Sequence, residues 1–132
     1  MQNVTNIFEM KEFTLNRDKT TPMVSFDPLK GLLEIKGSSI PEDSHKFYQP
    51  LLSWVEEYIA LFPPSITINL QFDYLNTSSS KWILKILQML ATYHHNKKCV
   101  KFNWYYDEQD IHDTGHYYQS LLDVEFNFIE YR

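Results

Sequence analysis

The alternation of apolar and polar residues predicts five β-strands along the chain. In residues 65–72 every second side chain is apolar, which is the period of a strand with one buried face. Residues 23–26 and 32–36 are shorter apolar segments separated by a turn that contains Pro28 and Gly31, and they predict a hairpin. The remaining two strands are predicted at residues 99–105 and 124–129.

Three segments between these strands have apolar residues at helical spacing. The first starts with a capping-box sequence, Ser39 followed by Glu42, and Pro50 requires that the helix either starts close to this residue or kinks there. A second helix is predicted over residues 81–95 and a shorter third helix over residues 107–120. The apolar stripe of the first helix consists of Phe47, Leu51, Trp54, Val55, Tyr58 and Phe62.

The resulting order, β-β-α-β-α-β-α-β, predicts the α/β fold class, with a single domain and a mixed β-sheet covered by helices. Each strand after the hairpin is reached through a helix, which favours parallel pairing. The alternating strands also predict that one sheet face is more polar than in a doubly wound fold. We expect residues 22–132 to form this domain and residues 1–21 to be a partly ordered N-terminal extension with low order at its start.

Composition narrows the classes of function. The 132 residues include Phe 9, Tyr 9 and Trp 3 but only three glycines, so the chain can form a packed core but has no glycine-rich nucleotide-binding loop. The formal net charge of −5 argues against nucleic acid as a partner. The single Cys99 fits a reducing compartment, and neither a signal peptide nor a membrane span is apparent. We therefore expect a soluble, cytoplasmic domain with no cofactor and no membrane partner.

A run of hydroxyl side chains occupies the predicted start of the second helix. One interpretation is N-capping, because Ser, Thr and Asn are the preferred caps for free backbone N–H groups. The other is phosphorylation, because four consecutive hydroxyls exceed the need of a cap and a phosphate here would meet the positive end of the helix dipole. The segment consists of Asn76, Thr77, Ser78, Ser79, Ser80 and Lys81.

A second cluster combines acidic and histidine side chains in the predicted third helix. His112 and His116 are four residues apart and share a helix face, which is compatible with a metal site or a small enzymatic centre. The other interpretation is a solvated acidic helix, because no further His or Cys adjoins the pair and no catalytic motif is present. The cluster contains Asp107, Glu108, Asp110, His112, Asp113 and His116.

Apolar residues beyond the core stripe of the second helix indicate a further surface. Trp82, Met89 and Tyr93 fall in one sector that includes Lys85, and exposed aromatic and Met side chains often mark a partner surface. The other interpretation is that the N-terminal segment buries this side of the helix. The sequence leaves both open.

Over residues 22–130 the chain resembles the SiaC-like regulatory phosphoproteins of bacteria. The most specific part of the resemblance is the segment Leu75-Asn76-Thr77-Ser78-Ser79-Ser80-Lys81 at the junction of a predicted strand and helix. Residues 1–21 precede the usual start of the family, and nothing is carried over to them. The other matching segments are residues 37–43, Phe47 and Tyr48, Trp54, and residues 104–107.

The resemblance implies a STAS-like fold, similar to anti-sigma factor antagonists, and a non-enzymatic switch without catalytic or metal-binding residues. It implies that a dedicated protein kinase phosphorylates Thr77 and that a PP2C-type phosphatase removes the phosphate; Ser78, Ser79 and Ser80 remain alternative acceptors. It also implies that the unphosphorylated form binds and activates a diguanylate cyclase, which raises cyclic di-GMP and favours biofilm formation or aggregation.

A phosphate at the start of this helix adds about −1.5 to −2 charge. A partner packed there would face an uncompensated charge, so we expect phosphorylation to abolish its binding. The partner surface is predicted at Tyr74, Asn76, Ser78, Lys81, Trp82, Lys85 and Met89.

Overall fold

Six strands and three α-helices make up most of residues 4–131. The computed structural model describes residues 4–131. The predicted α/β class is confirmed, and the structure adds one short strand within residues 1–21 to the predicted order. The elements are β1 (Phe13–Leu15), β2 (Met23–Asp27), β3 (Leu32–Ser39), α1 (Ser44–Ile59), β4 (Ile66–Leu75), α2 (Thr77–Lys97), β5 (Val100–Tyr106), α3 (Gln109–Leu122) and β6 (Phe126–Glu130), preceded by a short 3-10 helix at Ile7–Glu9.

All six strands lie in one sheet, in the same order as in the sequence. β1 and β2 pair antiparallel, as do β2 and β3, whereas β3, β4, β5 and β6 are parallel neighbours. Because crossovers between parallel strands are right-handed, a strand order that always advances in one direction places all three helices on the same face. Consistently, α1 packs on α2 and α2 on α3. Within residues 4–131 no helix has the length and apolar character needed to cross a membrane.

The sheet face under the helices forms the hydrophobic core. Trp54 of α1 packs on the β2 end of this face, with 5.2 Å between its ring centroid and that of Phe26. One row of paired positions crosses five strands and is almost completely buried, and removing this apolar area from water is the main driving force for folding. The row consists of Phe26, Leu33, Ile68, Phe102 and Phe126.

The opposite sheet face carries polar side chains, as the alternation predicts. Asn127 Nδ2 donates a hydrogen bond to Asn103 Oδ1 at 3.0 Å, and Asn103 Nδ2 donates to Asn69 Oδ1 at 2.9 Å. Asn69 Nδ2 then donates to Glu34 Oε2 at 3.1 Å. Because each amide satisfies its neighbour, this face needs no second layer of helices to satisfy its polar groups.

The first helix begins between the two starts that the sequence suggests. α1 starts at Ser44, and its N-cap is Asp43, whose Oδ1 accepts a backbone hydrogen bond at 3.1 Å. The predicted Ser39 cap is wrong, because β3 extends through Ser39 and buries its side chain. A start close to Pro50 is also wrong, because the turn before Pro50 is helical and buries Tyr48 in the core.

The segment before β2 is attached to the domain at several points. β1 pairs with β2, and Met10 is buried in the core. Trp54 Nε1 donates a hydrogen bond to Lys11 O at 2.9 Å. The low order expected at the start of this extension concerns residues 1–3, which lie outside the described residues.

Replacing Gly115 with Ala is expected to destabilise the domain by about 1–3 kcal/mol through overpacking, although Ala is the better helix former. A Cβ at this position of α3 would lie 2.6 Å from the indole ring of Trp104, which is buried and donates from Nε1 to Ile111 O at 2.8 Å. Urea unfolding followed by tryptophan fluorescence measures the change. Ser120→Ala, at an exposed position of the same helix, is the control, and equal stability of the two variants would contradict this packing.

Candidate phosphorylation and partner-binding site

Asn76 positions the start of α2 immediately after β4. Its side-chain Oδ1 accepts a hydrogen bond from Ser79 N at 2.9 Å, and its carbonyl oxygen accepts from Ser80 N at 2.9 Å. Its own backbone N–H donates to Ser39 O at 3.1 Å, which ties the junction to the end of β3. The N-capping interpretation therefore applies to Asn76 and not to the hydroxyls that follow it.

Two of the four hydroxyls, those of Ser79 and Ser80, are used inside the protein. Ser79 Oγ is buried; it donates to Ser39 O at 3.1 Å and accepts from Ser39 Oγ at 2.8 Å. Ser39 Oγ is also hydrogen-bonded to the Tyr48 hydroxyl. Ser80 Oγ is hydrogen-bonded to the Tyr118 hydroxyl, which donates to Ser80 O at 2.8 Å. These bonds join the first turn of α2 to β3, α1 and α3.

The other two hydroxyls, those of Thr77 and Ser78, are exposed. Ser78 Oγ donates to Asn76 Oδ1 at 3.3 Å, whereas the Thr77 hydroxyl makes no hydrogen bond with the residues described, 4–131. Thr77 and Ser78 are the first two residues of α2, so their backbone N–H groups have no partner within the helix. The Thr77 hydroxyl therefore lies in solvent at the positive end of the helix dipole.

Lysine side chains follow this hydroxyl along α2. Lys81 is exposed one turn after Thr77, and Lys85 follows after another turn. The first turn of α2 contains no acidic residue. Asp73, near the end of β4, is paired with Arg17 and accepts a hydrogen bond from the Tyr131 hydroxyl at 3.4 Å. A negative group at Thr77 would therefore meet cations along the helix.

Trp82 is half-buried, and α1 rather than the N-terminal segment covers it. Its ring stacks on Tyr48 with 6.4 Å between centroids and contacts His45 edge-on at 5.4 Å. Lys85 Nζ lies 4.5 Å from the centroid of the Trp82 ring, a cation–π geometry. Tyr93 is buried, with its hydroxyl donating to Pro63 O at 2.5 Å, so it does not belong to an exposed patch.

The structure brings part of the predicted partner surface onto one side of α2. Ser78, Trp82, Lys85 and Met89 follow at spacings of 4, 3 and 4 residues and therefore share this side. Tyr74, at the end of β4, is 56% exposed and is not part of the helical stripe. Asn76, the N-cap, and exposed Lys81 lie at the margin of the stripe.

Phe62 and His45 are neighbours of this surface that residue spacing does not reveal. The spacing predicts that Phe62 belongs to the core stripe of α1, and this is wrong, because α1 ends at Ile59 and Phe62 is 67% exposed. The following Pro63-Pro64 pair was a signal that the chain leaves the helix here. His45 has no comparable signal, because its contact with Trp82 joins two separate helices.

The acidic and histidine cluster is arranged around aromatic rings. His116 stacks on Phe128 with 4.1 Å between centroids, and His112 contacts Tyr106 edge-on at 4.6 Å. Asp113 accepts a hydrogen bond from Gln109 Nε2 at 2.8 Å, which, with further bonding to His112, lowers the pKa of its carboxyl. In the described part of the chain no three His, Cys, Asp or Glu side chains are placed to hold a metal ion. The metal-site alternative therefore has no ligand set there.

An exposed hydroxyl at the capped start of a helix whose outer side carries half-buried Trp82 and exposed lysines is the arrangement expected of a regulatory phosphoprotein domain. Residues 15–131 match the family described as SiaC family regulatory phosphoprotein, so the chain belongs to this family. A protein of Pseudomonas aeruginosa (strain UCBPP-PA14) is 31% identical over 101 residues, which is 76% of this chain and 80% of that protein.

Solved structures from the same species share the fold. The crystal structure of apo-SiaC from Pseudomonas aeruginosa has a TM-score of 0.82 and 28% identity, covering 93% of this chain and 100% of that one. The crystal structure of the diguanylate cyclase SiaD in complex with its activator SiaC, also from Pseudomonas aeruginosa, gives 0.80 and 28%, covering 89% of this chain and 97% of the matched chain. The similarity therefore extends over most of the chain.

Asn76→Ala is expected to destabilise the domain by about 1 kcal/mol, because the Ser79 N–H at the helix start loses its side-chain acceptor. Urea unfolding monitored by circular dichroism measures the change. Ser78→Ala removes an exposed hydroxyl from the same turn and should stay within about 0.5 kcal/mol of the parent. A larger effect for Ser78→Ala than for Asn76→Ala would reject this assignment of the cap.

The free energy of unfolding is expected to fall as the pH rises above about 10. Burial raises the pKa of Tyr48 to about 12 and that of Tyr118 to about 12, whereas a tyrosine in the unfolded chain ionises near pH 10. Between these values the unfolded state loses protons that the folded state keeps, so stability is complete below pH 10 and is lost towards pH 12. Urea unfolding at several alkaline pH values checks this, and a flat profile would contradict it.

Proposed function

We propose that this chain is a non-enzymatic switch that binds and activates a target protein, a diguanylate cyclase, and that phosphorylation of Thr77 releases the target. Membership of a family of regulatory phosphoproteins supports the switch. The observation that carries the residue assignment is the solvent-exposed Thr77 hydroxyl, free of hydrogen bonds to residues 4–131, at the positive start of α2.

Thr77 is favoured over the three serines by exposure and hydrogen bonding. A kinase must reach the acceptor hydroxyl, but Ser79 Oγ is buried between β3 and α1, and Ser80 Oγ is bonded to Tyr118. Ser78 is exposed, but its hydroxyl donates to Asn76 Oδ1. Ser78 therefore remains the alternative acceptor, whereas phosphorylation of Ser79 or Ser80 would require the helix start to open.

Release of the target is expected because phosphorylation changes the charge at the partner surface. A phosphate on Thr77 adds about −1.5 to −2 charge one turn before Lys81. A partner packed on this side of α2 loses an attractive cation and gains an anion at its interface, which is unfavourable when desolvated. The proposed partner surface consists of Tyr74, Asn76, Ser78, Lys81, Trp82, Lys85 and Met89.

The proposed partners are a protein kinase, a PP2C-type phosphatase and the target. The Pseudomonas aeruginosa activator SiaC, which shares 28% identity with this chain, is seen in complex with the diguanylate cyclase SiaD, and this supports a cyclase as the target. We propose that the chain acts in the cytoplasm, where ATP supplies the phosphate, and that it influences cyclic di-GMP output and biofilm formation.

Calorimetry and cyclase assays test the switch. We expect the purified chain to bind a diguanylate cyclase from its own genome and to increase cyclic di-GMP formation. The chain phosphorylated on Thr77 should bind at least about a hundredfold more weakly, which corresponds to about 2.7 kcal/mol, because the phosphate lies within the interface. Full affinity of the phosphorylated chain would reject the proposal.

The residue assignment is tested by intact-mass measurement after incubation with a co-encoded kinase and ATP. One added phosphate, mapped to Thr77 by fragmentation, is expected, and Thr77→Ala should abolish the mass shift. Ser78→Ala is the matched control and should be phosphorylated normally. If the mass shift persists in Thr77→Ala and disappears in Ser78→Ala, the phosphorylated residue is Ser78 and the proposed mechanism is unchanged.

A further inference from the structure

An open groove lies between the end of α1 and the second half of α2. Its volume is about 480 Å³, and its walls are mainly apolar, with Ile59 and Phe62 on one side and Met89 and Tyr93 on the other. Among the described lining residues, Lys85 is the only one that carries a charge. A concave surface of this size and composition is suited to binding apolar side chains.

Phe62 holds its position at the rim of this groove in a strained conformation. It is 67% exposed and has a φ of 57°, in the left-handed region that bulky residues rarely adopt. Lys97 Nζ lies 5.3 Å from the centroid of its ring. The left-handed conformation ends the helix, as it does at Lys98 and Asp123, but burial in the core does not account for this aromatic ring, so its exposure points to a binding surface.

The charge beside the groove is positive although the chain is acidic overall. α2 contains Lys81, Lys85 and Lys97 and no Asp or Glu, whereas the formal net charge of the chain is −5. On the α1 side, exposed Glu56 stands one helical turn before the lining residue Ala60. An occupant with carboxylates on the flank that faces α2 is therefore complementary in charge.

The groove ends at Lys85, and the surface between it and the start of α2 is formed by a stripe of side chains on α2. The stripe of Ser78, Trp82, Lys85 and Met89 spans 12 residues, so at a rise of 1.5 Å from each residue to the next it is about 17 Å long, or about three helical turns. Trp82 stacks on Tyr48, so α1 packs directly against this stripe where the groove ends. A groove that is continued by a helical stripe with apolar contacts and lysines at its edge fits an amphipathic helix.

We propose that the target of the switch docks an amphipathic helix with acidic residues on one flank into the groove between α1 and α2. Its apolar side contacts Met89 and Phe62, and its carboxylates face Lys85 and Lys81. This inference rests on the proposed function, because the helix belongs to the target that phosphorylation releases. A phosphate on Thr77 lies at one end of the docked helix, where it repels the carboxylates and neutralises Lys81.

Fluorescence anisotropy with labelled synthetic peptides tests this docking without a cyclase. The probe is an amphipathic helix of about 16 residues with Leu at helical spacing and Glu on one flank, and the matched probe has Lys in place of Glu. We expect the full chain to bind the acidic peptide at least about tenfold more tightly at low salt and to lose this preference at high salt. Equal affinity, or no binding of either peptide, overturns the proposal.

Charge variants locate the peptide on the protein. Lys85→Glu should weaken binding of the acidic peptide by about fivefold or more, and Glu56→Lys should strengthen it. Lys101→Glu makes the same charge change at an exposed position of β5 on the open sheet face, and it should leave the affinity unchanged. Equal weakening by Lys85→Glu and Lys101→Glu would mean that net charge alone attracts the peptide, and the groove would be the wrong site.

An apolar variant tests the groove itself. Met89→Asp should reduce binding of the acidic peptide by about tenfold or more, because it removes a buried contact and adds a like charge. Circular dichroism and urea unfolding check that the variant is folded. If Met89→Asp does not fold, Met89→Gln gives the same test without a new charge, and unchanged affinity of a folded variant would reject the groove.

The same variants separate failure of the docking surface from failure of the switch. A cyclase that binds the Lys85→Glu and Met89→Asp variants as tightly as the parent would reject the groove and leave the switch intact. If the chain binds the acidic peptide in the groove but activates no diguanylate cyclase, the docking surface is supported and the proposed target is wrong.

A second copy of the chain is the other occupant that the test must detect. The α3 helix carries acidic residues in its first half and exposed Tyr117 and Leu121 in its second half. Sedimentation of the chain alone measures self-association, which we expect to be absent. Self-association that Lys85→Glu abolishes would assign the groove to a second copy and overturn the proposal.

Discussion

The start of α2 is held in place by hydrogen bonds between hydroxyl groups, and the candidate site depends on this constraint. Ser79 is bonded to Ser39, and Ser80 is bonded to Tyr118. Leaving such a buried polar group without a partner costs about 1–3 kcal/mol, so these two serines stay turned inwards. The helical period then directs Thr77 outwards, beside N–H groups that have no partner within the helix. One set of structural bonds therefore distinguishes the exposed hydroxyls of Thr77 and Ser78 from two chemically similar neighbours.

Local patterns in the sequence were sufficient for most of the fold and insufficient for this distinction. The strict alternation in residues 65–72 predicts β4 because a period of two needs no distant partner. For Phe13 and Leu15 the sequence leaves open a weak strand or loose packing, and β1 is absent from the predicted order because its three residues become a strand only through pairing with β2. Likewise, Ser39 fits a capping box, but its actual bonds reach Ser79, forty residues away. Residue type alone gives no indication of which hydroxyls such long-range bonds use.

The partner surface was predictable on one helix but not across two. Helical spacing alone places Trp82, Lys85 and Met89 on one side of α2. The opposite wall comes from α1, which the right-handed crossovers place beside α2 on the same sheet face. Phe62 shows why the second wall was missed: its spacing continues the apolar stripe of α1, but the chain leaves the helix before it and turns through a left-handed backbone conformation. Helical periodicity indicates which residues share a face only for residues that lie within the helix.

A phosphate at Thr77 has opposite effects on the domain and on a bound partner. At the first position of α2, an anion interacts favourably with the helix dipole, by about 0.3–1 kcal/mol at an exposed site, and Lys81 one turn later adds to this. Phosphorylation should therefore leave α2 folded, and its effect on binding cannot come from melting the helix. The rigid attachment of this turn through Ser79 and Ser80 supports the same conclusion, because the surface cannot relax away from the new charge. Release of the target is then a property of the interface, set by how far a docked partner desolvates the phosphate and how many carboxylates it places nearby.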